Sequence, residues 1–186
     1  DDDFIRNTYR LKDTSTFKLN KYRQELSKDI DWKTHFRSIH YRPFDTRIIY
    51  YSKWIVERQI LEIMEHMFQN NIGLAIGRQG QVAGDYHLWN LAFITDNLID
   101  FNLFYRGGEL LFPLYIYAKG EKKKKRGFQT MMMFEPDEDY AADGRKPNIA
   151  PDIFEKLEKS FGRRPPPEQI LCYCYAILYS NIYRTK

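Results

Sequence analysis

Apolar residues recur along this chain at two spacings, and the change from one to the other divides it. Over residues 54–69, Val56, Ile60, Ile63, Met64 and Met67 return every three or four positions, with Glu57, Arg58, Glu62, Glu65 and Gln69 between them. That period gathers the apolar set into one stripe and predicts an amphipathic helix. Asn70, Asn71 and Gly73 supply its stop. The same period returns near the C-terminus. Ile153, Phe154, Leu157 and Phe161 predict a helix from Pro151 to Phe161, ended by Gly162. Pro165, Pro166 and Pro167 then open a last helix, since proline is tolerated in a first turn. Ile170, Leu171, Cys174, Ile177, Leu178 and Ile182 give that helix a wide apolar face, and Tyr175, Tyr179 and Tyr183 form a second stripe. Residues 20–28 suit a short helix. Residues 32–40 suit another helical segment, capped by Ser27, Asp29 or Asp31.

Between these segments the chain reads as strand. Residues 47–51 are β-branched and aromatic. Three further strands are expected over residues 72–78, 88–95 and 110–118, with Gly80, Gly84, Gly107 and Gly108 marking turns. Tyr41-Arg42-Pro43-Phe44-Asp45 is a break, because Pro43 disfavours helix at Arg42. There Arg42 and Asp45 are expected to hold the turn and Phe44 to be buried. Strands are not regularly alternated with helices, so the expected class is α+β: a small antiparallel or mixed sheet, packed helices and a helical C-terminal part. The expected division is a connector over residues 1–40, an α+β core over 41–150 and a helical part over 151–186.

The 186 residues suffice for one large or two small domains, and a 43% hydrophobic content excludes wholesale disorder. Fourteen Tyr and 13 Phe suit half-buried surfaces and interfaces. The net charge of +4 is too mild to establish nucleic-acid binding by itself. Cys172 and Cys174 would lie about 200° apart on a helix, so no disulfide or redox pair is indicated, and both are expected to be small buried apolar residues. Low cysteine use fits a reducing cytoplasm. The chain starts with three aspartates, so no signal peptide is expected, and it has no apolar run near the ~18–20 residues of a membrane span. Both ends are expected to be boundaries inside a longer protein.

A search for catalytic chemistry finds little. There is no phosphate-binding GxxxxGK[ST] loop, GxSxG elbow, adenine-methylating Asn/Asp-Pro-Pro-Tyr motif or His/Cys cluster with zinc spacing. His35, His40, His66 and His87 are scattered. Asp100 with Glu121 and Lys123 loosely fits a Mg²⁺-dependent nuclease pattern. However, Glu121 and Lys123 belong to a lysine-rich stretch, where such spacing arises by chance. Catalytic and metal-binding residues are therefore expected to be absent. Features suited to DNA are more numerous. Lys122, Lys123, Lys124, Lys125 and Arg126 form a basic run that can neutralise phosphates, although a solvated loop would look the same. Arg78 and Gln79 follow an expected strand, and these side chains pair bidentately with guanine and adenine. His87 is a third candidate for base reading. Arg106, ahead of Gly107-Gly108, is placed where backbone can approach a phosphate.

Several blocks also carry a resemblance. Tyr41-Arg42-Pro43-Phe44-Asp45-Thr46-Arg47 followed by Ile48-Ile49-Tyr50-Tyr51, then Asn71-Ile72-Gly73-Leu74 with Arg78-Gln79, then Phe93-Ile94-Thr95-Asp96, then Phe112-Pro113-Leu114-Tyr115-Ile116-Tyr117, resemble successive blocks of type ISP restriction–modification enzymes. Pro167-Glu168-Gln169-Ile170 with Tyr173, Tyr175-Ala176, Leu178, Ser180 and Tyr183-Arg184 resembles a helix near their C-terminus. The blocks occur in the family's order and cover roughly residues 35–186. The resemblance implies a target-recognition segment that follows an adenine methyltransferase, with residues 1–40 as the connector. It implies double-stranded DNA and the intramolecular methyltransferase domain as partners. It also implies that S-adenosylmethionine, ATP and Mg²⁺ are used elsewhere in the parent enzyme and that this segment is non-catalytic by itself. The alternatives are an interdomain docking module that uses the tyrosine stripe, or a nuclease built on Asp100 and Glu121. Relatives continue past the Tyr-Arg block, and the part corresponding to residues 119–148 varies among them, so the family lends no role to the lysine run.

Overall fold

The computed structural model describes residues 2–57, 59–78, 89–104, 108–118 and 144–185. The chain opens with α1 (Asp2–Tyr9) and α2 (Leu19–Leu26), of which only Leu19 is buried. A 3-10 turn at Trp32–His35 leads into β1 (Phe36–Arg42), so the helical segment expected over 32–40 is replaced by strand. The reason is pairing. Phe36 to His40 meet β2 (Asp45–Tyr50) antiparallel, and Ile39 turns into the core at 7% exposure.

The helix expected over 54–69 is also broken. Only α3 (Leu61–Met64) and a 3-10 turn over Glu65–Phe68 form. His66 and Met67 are both buried in that 3-10 turn. The tighter winding serves tertiary bonds: the Asn71 side chain donates to the His66 carbonyl at 3.0 Å, and His66 Nδ1 accepts from the Tyr117 amide at 3.1 Å.

β3 (Gly73–Ile76) is the centre of a second sheet, flanked antiparallel by β4 (Ala92–Thr95) and β6 (Leu110–Pro113). β5 (Leu98–Ile99) follows β4 and joins the first sheet parallel to β1, giving the order β2-β1-β5. The single strand expected over 110–118 divides after Pro113 into β6 and β7 (Tyr115–Tyr117). β7 pairs with β8 (Arg145–Pro147), a strand that the hydrophobic pattern does not announce.

Strand alternation explains the layering. Ala75, Phe93 and Leu111 point to one face and pack with Ile39, Leu98, Ile99 and Leu103 from the β1 side, together with Met64 and Met67. Leu74, Ile76 and Ile94 point to the other face, where α5 (Pro167–Tyr179) supplies Leu171, Tyr175 and Leu178. The architecture is α+β, with the central sheet covered on one face and, on the other, partly covered by α5, which leaves Leu110 and Phe112 of β6 exposed.

α4 (Pro151–Phe161) has the bounds its pattern predicts, with proline in its first turn and Gly162 at φ +70° accepting the left-handed exit. α5 starts at Pro167 as expected but stops at Ser180, whose ψ of 130° separates it from α6 (Asn181–Arg184). The wide apolar face of α5 is only partly used. Leu171, Tyr175 and Leu178 make a narrow strip against the sheet, and Cys172 and Cys174 flank it on opposite sides. Both cysteines are exposed, not buried as expected.

Candidate nucleic-acid interface

Two places in this fold present side chains suited to a duplex. The first is the tip of the β1–β2 hairpin. His40 pairs with Thr46 and Arg42 with Asp45, so Tyr41 has no partner opposite and forms a bulge. Pro43 and Phe44 make the turn. The proline ring holds its own φ negative, while Phe44 lies at φ +65°. That combination is a type II turn, whose second central position favours glycine or asparagine. Phenylalanine there costs roughly 1–2 kcal/mol of backbone strain. Phe44 is 89% exposed, which overturns the expectation of a buried ring. Its one aromatic neighbour among the described residues is Phe93, edge-on at 5.4 Å. A type II turn tends to splay a hairpin, and the added twist of the bulge at Tyr41 offsets this.

Behind the tip the polar side chains are held in place. Arg47 forms a fork with Asp45, with Nη2 to Oδ2 at 2.8 Å and Nε to Oδ1 at 3.1 Å. This pairing holds the Asp45 carboxyl below the usual carboxylate range. The guanidinium carbons of Arg42 and Arg47 each lie 4.0 Å from the Tyr41 ring centre. Arg42 also donates to its neighbour's carbonyl and, at 3.4 Å, to Asp100. Asp100 accepts from the Asn102 amide at 2.8 Å as well, so it serves as a loop brace. His40 lies beneath the tip, with Nδ1 3.0 Å from the Thr46 hydroxyl and Nε2 3.4 Å from Asn97 Nδ2. Burial lowers its pKa, and the nearby Asp96 charge opposes this more weakly.

The second place is the end of β3. Arg78 follows the strand and is exposed. Its guanidinium lies against Gly108, which has φ +95° and no room for a Cβ beneath that head group. Glycine thus serves both the backbone angle and the close approach. Next to it, Glu109 is 7% exposed, and its Oε1 accepts from the Phe104 amide at 3.4 Å.

Of the residues singled out from sequence, the structure places Arg78, Arg42, Asp45 and Asp100. The base-reading candidates Gln79 and His87, the phosphate candidates Arg106, Lys122, Lys123, Lys124, Lys125 and Arg126, and Glu121 and Lys123 of the nuclease pattern lie outside the described residues. The sequence reading missed the exposed Phe44. A Pro-aromatic pair between two strands, with no glycine to take the positive φ, was its available signal. No group of three or more His, Cys, Asp or Glu side chains able to hold a metal ion occurs among the described residues. Nor is any described helix long and apolar enough to cross a membrane.

The sequence profile of the Type ISP C-terminal specificity domain matches residues 1–186. The chain belongs to that family. No curated protein matches it. Among solved structures, the chain is similar to a cryo-EM structure of a DrdV–DNA complex, with 21% identity, a TM-score of 0.56, and coverage of 83% of this chain and 13% of that one. It is also similar to the ATP-dependent Type ISP restriction–modification enzyme LlaBIII bound to DNA, with 20% identity, a TM-score of 0.55, and coverage of 94% and 10%. At this identity the likeness establishes the fold. The specificity domain spans about a tenth of the length of each of these proteins.

Proposed function

We propose that this specificity domain recognises a short sequence in double-stranded DNA for a longer restriction–modification enzyme and supplies no reacting group itself. The observation that carries the reading is family membership along all 186 residues. The DNA-bound state of both structural neighbours supports the choice of partner. Arg78, Gln79 and His87 are the candidates for reading base edges. Arg106, Lys122, Lys123, Lys124, Lys125 and Arg126 are the candidates for positioning the duplex through phosphates. The site of action is the cytoplasm, and the parent enzyme holds an adenine methyltransferase. S-adenosylmethionine, ATP and Mg²⁺ belong to that parent's other parts.

The test is a salt titration of duplex binding by fluorescence anisotropy. Replacing Lys122, Lys123, Lys124 and Lys125 with Ala should weaken binding on every sequence and lower the slope of log K against log salt by up to roughly 3–4. An unchanged slope removes that run from the interface. Arg78→Ala should relax the preference at one base position by about 1–3 kcal/mol. An equal loss on all sequences reassigns Arg78 to phosphate contact.

A second reading is favoured by α5 and α6. Tyr173, Ile177, Ile182 and Tyr183 are exposed there, which suits docking against the methyltransferase domain of the parent. Tyr173→Ser with Ile182→Ser should then loosen that domain contact in the full enzyme, measured by limited proteolysis, and leave the duplex salt slope intact.

A further inference from the structure

We propose that Phe44 is a DNA wedge, a ring that enters between neighbouring base pairs at the bound site. This rests on the DNA reading above and adds a way of deforming the duplex to it. At 89% exposure, Phe44 is the most exposed aromatic side chain among the described residues. It occupies a backbone position, φ +65°, that glycine or asparagine would take with less strain. The fold gains little from the ring, since its aromatic contact is a single edge-on approach to Phe93. A strained, outward-facing ring is a reason to look for a ligand.

The surroundings of Phe44 select the ligand. A protein-docking patch would place further apolar side chains around the ring. Here its neighbours within three positions of the chain are Tyr41, Arg42, Pro43, Asp45, Thr46 and Arg47, and the Tyr41 ring is taken up by the two guanidinium groups stacked on it. One apolar ring with a polar rim of paired arginines and carboxylates suits a base step, and Phe and Pro are among the residues that proteins insert into such steps. The tip is also stiff. Pro43 restricts the turn, Asp45 grips Arg47 in a fork, and Tyr41 is held by Arg42 and Arg47. Little freedom is therefore lost when the ring enters the stack. Asp45 and Asp100 offset much of the arginine charge, so stacking is the main contribution of this tip and the salt dependence arises elsewhere.

The experiment uses a duplex carrying the sequence that the protein enriches from a random pool, with 2-aminopurine placed at each position in turn. The wild-type protein should raise the fluorescence several-fold at one step. Phe44→Gly should abolish that rise and weaken binding about 10- to 100-fold. It should also unfold no earlier than wild type, because glycine relieves the turn. Phe44→Trp should keep the signal. A flat 2-aminopurine response at every position with retained binding overturns the wedge and leaves the DNA reading standing. Full duplex affinity of Phe44→Gly with altered sedimentation would assign the ring to a protein contact and also overturn it. Failure of the wild-type protein to hold any duplex would remove both.

Discussion

Asn71→Ala is the perturbation whose cost follows most directly from this structure. Asn71 is 5% exposed and ties the 3-10 turn before it to β7 beyond the sheet. Its Nδ2 donates to the carbonyls of His66 at 3.0 Å and Tyr115 at 2.8 Å. Its Oδ1 accepts from the amides of Ile72 at 2.9 Å and Tyr115 at 3.1 Å. The side chain thereby uses both donors and both lone-pair sites of its amide. Alanine would remove four hydrogen bonds, worth about 1 kcal/mol each net, and would add a desolvation penalty wherever a backbone group stays dry. The expected loss is about 3–5 kcal/mol, a large share of the ~5–15 kcal/mol that holds a typical domain. At ~2–4 °C per kcal/mol for a chain of this size, Tm should fall by roughly 10 °C. Urea denaturation followed by circular dichroism measures it. Asn71→Asp should be no better at neutral pH, because it keeps the acceptors and sets an anion against two carbonyls. A loss below about 1 kcal/mol for Asn71→Ala would refute the reasoning, since it would mean that water or a shifted backbone satisfies all four groups.

Three further outcomes are expected. His40 titrates below its ordinary value of about 6.5 because burial disfavours its charged form. The unfolded chain therefore takes up a proton first, and stability should fall as pH drops from about 6.5 through the folded-state value. His40→Gln should flatten that limb in denaturation curves collected between pH 7 and 5, and an unaltered limb would exclude His40 as its source. Gly108→Ala forces a side chain into φ +95° beneath the Arg78 guanidinium, so it should cost about 1–3 kcal/mol and disturb the same base position as Arg78→Ala. Simple additivity in a double-mutant cycle on duplex affinity would separate the two residues. Gly77→Ala places a Cβ 2.5 Å from Leu91, which is 1% exposed. Overpacking there should cost about 1–3 kcal/mol in urea denaturation, and a loss below about 0.5 kcal/mol would mean that Leu91 shifts freely.

The element boundaries that were legible in the sequence are those set by local chemistry. Pro151 and Gly162 bracket α4 because proline suits a first helical turn and glycine suits the left-handed exit. Pro167 opens α5 for the same reason. The ordered blocks from Tyr41 to Arg184 were enough to indicate the family. Site geometry was less legible. Arg78 could be picked out as a polar residue beyond a strand, but its approach to Gly108 depends on residues far apart in sequence. The apolar stripe over 54–69 misled because periodicity reports which residues prefer burial, not which backbone bonds compete for them.

Sequence alone determined the α+β class, the family, the C-terminal helix starts and the candidate cations, since all of these follow from short-range pattern and residue type. Tertiary structure decided the rest. It converted Phe36–Arg42 to strand because β2 and β5 were there to pair with it. It wound residues 65–68 into a 3-10 turn because His66 and Asn71 bond across the core. It left the cysteines of α5 and the Phe44 ring facing outward because the sheet covers only a narrow strip of one and the hairpin projects the other beyond its neighbours. The physical reason is common to all three: burial and hydrogen-bond partners are supplied by distant segments, and their combined free energy exceeds the few tenths of a kcal/mol per residue by which local preference favours one conformation over another.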